Sequence, residues 1–403
     1  MPSDLKKYCF TNNELGDEFV GIRSANGNLQ ICFPLGFGVG NDTRADIRSL
    51  VSILLKHNKA LGFDSFTKNK IEVVSLDFPL LAYKSVIEYF LSNGYYIENK
   101  SLYENSTKGK INFARTIKKN KPLIQNINTK SSFVYTNFQV KNKTINENEL
   151  ITAINKYCVY EAFSKFGFIY TSFVPSKTRL PASKSYCIYL LDNKLHSTFN
   201  DSKRALFNAM KNMLLQSNNA LKQSNFKFGT TAFHTIWEQM IDVAFGEKGK
   251  EKYFPKTKYI LQYSSHKYNH SLQPDSIMIL NDKFYILDAK YYKYGVTAKS
   301  NDLPESSSIV KQIVYGEHLS KIETNNEVFN AFILPYNRLN NFFNLNQIFE
   351  NIGFAICEWR TNTKKYENIQ VILVDTKFLI YNYNKVGISD KEQLVKAISN
   401  TKI

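Results

Sequence analysis

The sequence has no apolar run approaching the roughly 20 residues needed to cross a bilayer, so a membrane span is not expected. Its start, MPSDLKKYCFTNNELGDEF, has acids and amides where a signal peptide would carry a continuous apolar stretch. Nothing there marks the chain for export, and the cytosol is the expected compartment. Cysteine is scarce: Cys9, Cys32, Cys158, Cys187 and Cys357 are odd in number and scattered, with no Cys-x-x-Cys pair. That argues against a disulfide framework and a zinc knuckle and favours buried thiols. With 17 Gly, 10 Pro and 43% hydrophobic residues, the chain is neither collagen-like nor largely disordered. A Walker A sequence is also missing. Gly36, Gly38 and Gly40 lack a following Gly-Lys-Ser/Thr and the full dinucleotide fingerprint, so they read as a glycine-rich turn. Any nucleotide hydrolysis would have to come from another subunit. No repeat with a period of about 20 to 50 residues is visible, which argues against a solenoid.

What is present in excess is positive charge. There are 52 Lys and Arg against 35 Asp and Glu, a balance of +17. Such a surplus attracts polyanions, and DNA or RNA is the commonest cytosolic candidate. Lysine-rich coding can raise the total, but it would not remove acids from particular stretches. Residues 99–145 hold ten basic side chains and one acid (Glu104), and residues 177–227 hold nine against two (Asp192, Asp201). No basic amphipathic helix or lipidation signal points to a membrane surface instead.

A chain of 403 residues exceeds what one hydrophobic core usually serves, so two or three domains are expected. In the first hundred residues, 29–37 and 70–78 read as strands, and 44–58 and 81–94 as helices, with Gly94 placed to end the second. Residues 100–145 are basic and strand-like. Leu150, Ile154, Tyr157, Cys158 and Phe163 mark a packed helix over 147–168, and a further helix is expected over about 202–222. From about 226 the order becomes helix (231–246), strands through 272–295, helix (307–322) and strand (328–336). This is an α/β core with a mixed sheet, and the whole chain reads as α/β in the multidomain α+β sense.

Chemistry concentrates in that last part. Strand alternation in KFYILDAKYY puts Asp288 and Lys290 on one face with Phe284 and Ile286. Ions within so apolar a strand are costly unless paired, hydrated or metal-bound. Asn281-Asp282 suits a tight hairpin, which would bring Asp275 back beside Asp288. Two converging carboxylates repel, and a divalent cation relieves the repulsion; oxygen ligands with little His or Cys nearby favour Mg²⁺. Lys290 would then orient a water, assist its deprotonation, or stabilise charge on a phosphorane-like transition state. On helix 231–246, a count of 100° per residue places Glu238 at the edge of the apolar face, where it is either a site carboxylate or an ordinary surface glutamate. His234 on the same helix reads as structural or capping.

At these residues the sequence resembles the PD-(D/E)XK nuclease superfamily: Pro274-Asp275, then Asp288-Ala289-Lys290, preceded by Glu238 on a helix. Within it, FHTIWEQMIDVAFG, QPDSIMI, YILDAKYY and QIVYGEHL follow the order of LlaJI and McrC-like restriction endonucleases, and KGKINFARTI (108–117) and FPLGF (33–37) look like other segments of that group. The resemblance implies Mg²⁺-dependent cleavage of double-stranded DNA, with Asp275, Asp288 and Glu238 serving the metal, Lys290 assisting the nucleophile, and Gln312, near Tyr315, orienting a water or a neighbouring side chain. With the changes of pattern along the chain, three domains are expected: a mixed α/β domain at 1–105 for target or partner binding, a basic middle region at 106–225 with helices linking to the nuclease, and the endonuclease at 226–403. The resemblance also implies partnership with a McrB-like AAA+ GTPase, so that GTP is bound by the partner and no nucleotide by this chain. Lys110, Arg115, Lys118 and Lys119 are candidates for phosphate contact, or simply a solvated basic face. One active site per chain suggests that two chains act together on the two strands. Two other readings stay open: a self-sufficient site-specific type II enzyme, and an inactive DNA-binding or assembly protein.

Overall fold

A computed structural model describes residues 5–25, 28–60, 80–127, 130–146, 149–220, 226–263 and 269–400. The strand expected over 70–78 lies outside these residues. The chain is mixed α/β, as its patterning predicts, and divides into two compact units. Residues 79–222 form one, and residues 2–78 together with 223–403 form the other. Segment 1–105 therefore contributes to both units, and 226–403 folds together with the N-terminal stretch rather than apart from it.

Strand pairing is one reason for the discontinuity. In the second unit β1 (Val20–Ala25) pairs antiparallel with β2 (Asn28–Cys32) on one side. On the other it pairs with β3 (Phe226–Thr230), some two hundred residues later in the chain. Gly21 and Gly229 face each other across that pair, and a Cβ on Gly229 would lie 2.2 Å from the Val20 carbonyl oxygen. Helix α1 (Thr43–Ala60) follows, starting close to the expected position. The run expected as a strand through 37 ends at Cys32, because Phe33 to Phe37 turn away to bind the core. There Leu35 N–H donates to the Tyr291 hydroxyl at 2.8 Å and its carbonyl accepts from the Thr376 hydroxyl at 2.8 Å. Gly36 takes φ +71°, and a Cβ there would meet the Tyr336 backbone at 2.6 Å.

The main sheet of this unit has five strands in the order β4-β5-β6-β8-β7. They are β4 (Ser276–Leu280), β5 (Lys283–Ala289), β6 (Val328–Tyr336), β7 (Phe349–Ala355) and β8 (Ile369–Asp375). The β5, β6 and β8 strands are parallel, while the two edge strands run antiparallel to their neighbours, so the sheet is mixed as expected. Helix α2 (Phe233–Phe245) buries Phe233, Ile236, Trp237, Met240, Ile241, Ala244 and Phe245, the apolar face its spacing predicts, and Trp237 Nε1 donates to the Ile333 carbonyl. Helix α3 (Ser306–Ile322) places Ile313, Tyr315 and Leu319 in the core with Ile277, Phe284, Ile286, Phe332 and Leu334. A short helix, α4 (Thr376–Asn382), follows β8, capped by the Asp375 carboxylate. Its Lys377 and Tyr381 meet the buried Asp46 of α1 at 2.7 Å each.

The first unit packs four helices, Leu80–Asn93, Leu150–Phe166, Lys184–Ser197 and Asp201–Ala220, around Tyr83, Phe163, Phe166 and Phe207. Three of these were expected; Lys184–Ser197 was hidden in the basic region by weak periodicity. Gly94, at φ +73°, ends the first of them through an N–H bond to Phe90. A three-stranded antiparallel sheet and a two-stranded hairpin (Leu123–Ile127, Lys130–Val134) complete this unit. All five cysteines are free thiols. No described helix is long and apolar enough to cross a membrane.

Candidate active site

The β4–β5 hairpin builds the site. Asn281 and Asp282 both adopt positive φ, 51° and 54°, the pair of left-handed residues that a two-residue turn between twisted strands requires. The resulting register sets Ser276 opposite Leu287, so Asp275 arrives beside Asp288. Their carboxyl groups are within hydrogen-bonding contact. Asp275 Oδ2 also accepts the Ala289 N–H at 2.8 Å, which fixes its orientation against the second strand.

Burial, and then the neighbouring Asp288, push the Asp275 carboxyl up to about 7, with Glu238 adding to the shift. Lys290, on the same face as Asp288, places Nζ 2.9 Å from Asp288 Oδ2. Glu238 is half-buried on α2, and burial raises its pKa against the opposing pull of His234 and Lys290. It therefore sits within electrostatic reach of the pair, at the helix edge where the angular count put it. His234, one turn earlier, is exposed and lines a cleft of about 570 Å³ together with Glu238 and Lys290.

Two residues of α3 hold the chain just ahead of each carboxylate. Gln312 is fully buried and donates from Nε2 to the Ile286 carbonyl at 2.9 Å; its Oε1 has no hydrogen-bond partner among the protein atoms. The Tyr315 hydroxyl donates to the Gln273 carbonyl at 3.0 Å. Gln312 thus grips the strand carrying Asp288 rather than either carboxylate itself. Sequence reasoning missed Lys250, which donates to both the Asp275 carbonyl and the Asp242 carboxylate. A lysine within GEKGKEKY carries no signal to distinguish it from its neighbours.

The donor chemistry suits a hard cation, because two oxygen-only side chains converge and burial, together with the neighbouring Asp288, leads one of them to hold its proton near neutral pH. Among the described residues no group of three or more His, Cys, Asp or Glu side chains is arranged to hold a metal ion, so Glu238 stands outside the Asp275–Asp288 pair. Lys110, Arg115, Lys118 and Lys119 belong to the other unit. All four are exposed, and the Arg115 guanidinium lies 4.0 Å above the Tyr103 ring.

The model of the LlaJI restriction endonuclease family matches residues 19–377. A curated relative, the type II restriction enzyme BsuMI component YdjA of Bacillus subtilis, is 24% identical over 315 residues, covering 74% of this chain and 65% of the relative. The chain thus spans less than two thirds of that relative's length. Among solved structures, a chain from the assembly of Thermococcus gammatolerans McrB AAA+ hexamers with bound McrC is 15% identical with a TM-score of 0.35, over 95% of this chain and 82% of that one. A cryo-EM structure of the Thermococcus gammatolerans McrBC complex matches at 15% identity and a TM-score of 0.21, over 56% of this chain and 64% of that one.

Proposed function

Because the chain belongs to the LlaJI restriction endonuclease family, we propose that it is the DNA-cleaving subunit of a restriction system and hydrolyses phosphodiester bonds at the Asp275–Asp288–Lys290 cluster. The observation that carries the reading is the contact of a buried carboxyl, Asp288, with a partly buried one, Asp275, and with an ammonium 2.9 Å from the first. A purely structural site would gain little from that arrangement, since like charges buried together cost stability.

Asp275 and Asp288 would hold Mg²⁺, and Glu238, outside that pair but lining the cleft beside Lys290, would serve the metal through its water. When bound, the ion supplies Lewis-acid charge to the phosphodiester and its attacking water. Lys290 Nζ stands where it can orient that water and offset negative charge growing on the phosphate. Ala289 N–H keeps the Asp275 carboxylate turned toward Asp288, and Gln312 and Tyr315 keep the two strand segments in register. Glu238, with its raised pKa, is suited to exchange a proton with water in the cleft. Lys110, Arg115, Lys118 and Lys119 of the basic unit 79–222 would contribute phosphate contacts, and segment 1–105 would serve target or partner binding.

We further propose that cutting is coupled to a McrB-like AAA+ GTPase partner, in the cytoplasm. Two observations support this. The relative is described as one component of its enzyme, and this sequence contains no Walker A motif of its own. The same relative's description as a type II enzyme favours a second reading, cleavage without a motor. Incubating the purified chain with plasmid and Mg²⁺, with and without GTP and a partner, separates the two. In either case Asp288→Ala and Lys290→Ala should each lower cleavage by at least about a hundredfold while DNA binding persists. If neither change affects cleavage, the site assignment is wrong.

A further inference from the structure

We propose that the loop joining β6 to β7, residues 337–348, is a DNA wedge that presses Leu339 and Phe342 against bases beside the cleavage site. The proposal rests on the nuclease reading above and extends it to how the duplex is gripped.

These two residues are among the most exposed apolar side chains described, at 78% and 74%. The loop that carries them is held by its own asparagines. Asn341 Nδ2 donates to the carbonyls of Asn337 at 3.0 Å and Leu345 at 2.8 Å, while its Oδ1 accepts from Phe343 N and Leu345 N at 3.1 Å each. Asn337 Oδ1 accepts from Leu339 N at 3.0 Å. Phe343 and Leu345 pack into the core beneath, and the Tyr336 hydroxyl bonds the Gln347 carbonyl. The anchors point inward and are fixed, which leaves Leu339 and Phe342 presented to solvent from a tied frame. Holding apolar groups in water this way has no benefit for stability. It is a benefit for a partner that offers flat apolar faces.

Position identifies that partner as DNA. Strands β5 and β6 are parallel, so their carboxyl ends lie at one edge of the sheet. Lys290 N–H bonds the Ile333 carbonyl, and the loop begins three residues beyond that level on the adjacent strand. Strand rise and spacing place its start roughly 11 Å from Lys290, or about three nucleotide steps along a strand. The short helix Tyr294–Thr297, which follows Lys290, touches the loop directly: the Tyr294 and Phe343 rings are 5.6 Å apart. Lys293 and Lys299 are exposed on that segment, and Arg338 at the loop's start is partly exposed beside Asp375. Exposed cations on the segment that touches the loop suit phosphates near a base step, into which apolar tips insert in other DNA-binding proteins.

The test uses the full chain, a mixed-sequence duplex and Ca²⁺ in place of Mg²⁺, with binding read by fluorescence anisotropy over a salt series. The double variant Leu339→Ala/Phe342→Ala should bind about tenfold more weakly, the weakening expected when one base is deprived of its stacking partner. The slope of log affinity against log salt should stay unchanged, because every phosphate keeps its cation. In a Trp359→Phe background, Phe342→Trp should show tryptophan quenching on adding duplex, the buried Trp237 serving as a constant background. Unchanged affinity in the double variant together with no quenching would overturn the wedge while leaving the nuclease reading intact. Unchanged DNA affinity with an altered oligomeric state would assign the loop to a protein contact and overturn it too. A wild-type chain that binds no duplex would overturn the wedge, whereas the nuclease reading falls only if plasmid also stays uncut with Mg²⁺, GTP and a partner present.

Discussion

Lys290 meets Asp288 at its carboxylate, whereas Lys250 meets Asp275 at its backbone carbonyl, and the difference bears on proton chemistry. Asp275 has no cation at its carboxyl oxygens among the described residues; it has an N–H donor, a second carboxyl and a partly buried setting, and it holds its proton up to about 7. An unfolded aspartate lets go near 3.9. Below both values the two states bind the same proton, so nothing is lost. As the pH rises past the unfolded value, the unfolded chain releases its proton first, and the folded state is progressively disfavoured until Asp275 ionises as well. The metal-free protein should therefore lose stability as pH climbs from about 4 through 7. Asp275→Asn should flatten that fall. A divalent cation binding the ionised pair should raise the melting temperature more at alkaline than at acidic pH, which calorimetry across a pH series can read. A melting temperature shift from Mg²⁺ that is the same on both sides of neutrality would count against Asp275 as a ligand.

At the scale of elements, the β4–β5 hairpin and α3 act as one device. The turn sets which residues oppose each other, and Gln312 and Tyr315 pin the segments leading into Asp288 and Asp275. Tyr315→Phe removes one part-buried hydrogen bond to the carbonyl of the exposed Gln273, so it should cost about 1 kcal/mol. Because it also frees the approach to Asp275, Mg²⁺ affinity should fall along with the melting temperature, whereas a loss confined to stability would reduce Tyr315 to a packing residue. The Gly21–Gly229 crossing is a different kind of element constraint. Gly229→Ala places a methyl group against the Val20 carbonyl, at a φ of +158°, and should destabilise the unit by roughly 2 kcal/mol or more. Much of this level was readable beforehand: Asn281-Asp282 announces the turn, the period-2 pattern puts Asp288 and Lys290 on one face, and the helical count places Glu238 at an edge. What hides from the sequence is tertiary. LQICFPLGF alternates like a strand throughout, yet Phe33 to Phe37 give up ladder bonds for the hydroxyls of Tyr291 and Thr376, hundreds of residues away. Lys250 is invisible for the same reason, since its role exists only once α2 and β4 have met.

For the whole molecule, the charge surplus and the carboxylates turn out to occupy different units. Residues 79–222 contain 21 Lys and Arg and 8 Asp and Glu, so they carry +13, and the remaining 31 basic and 27 acidic residues leave only +4 for everything else. A local pattern cannot reveal this, because the unit's boundaries depend on β1 pairing with β3 across an inserted stretch. The division makes a separable prediction. If the basic unit tracks the DNA backbone, then replacing Lys110, Arg115, Lys118 and Lys119 together by Gln should weaken duplex binding at low salt and reduce the slope of log affinity against log salt by up to about 3 to 4, near 0.9 for each phosphate no longer neutralised. Metal binding at Asp275 and Asp288 should be untouched, since the substituted residues belong to the other unit. The four side chains are exposed, so folding should survive their neutralisation, with only the Arg115–Tyr103 stacking removed. Leu339→Ala/Phe342→Ala should give the opposite signature, lower affinity at constant slope. The two variants measured side by side therefore distinguish backbone tracking by one unit from base contact by the other. A slope that does not change when four cations are removed would make the basic face of unit 79–222 a solvated surface and shift the search for phosphate contacts to Lys293, Lys299 and Arg338.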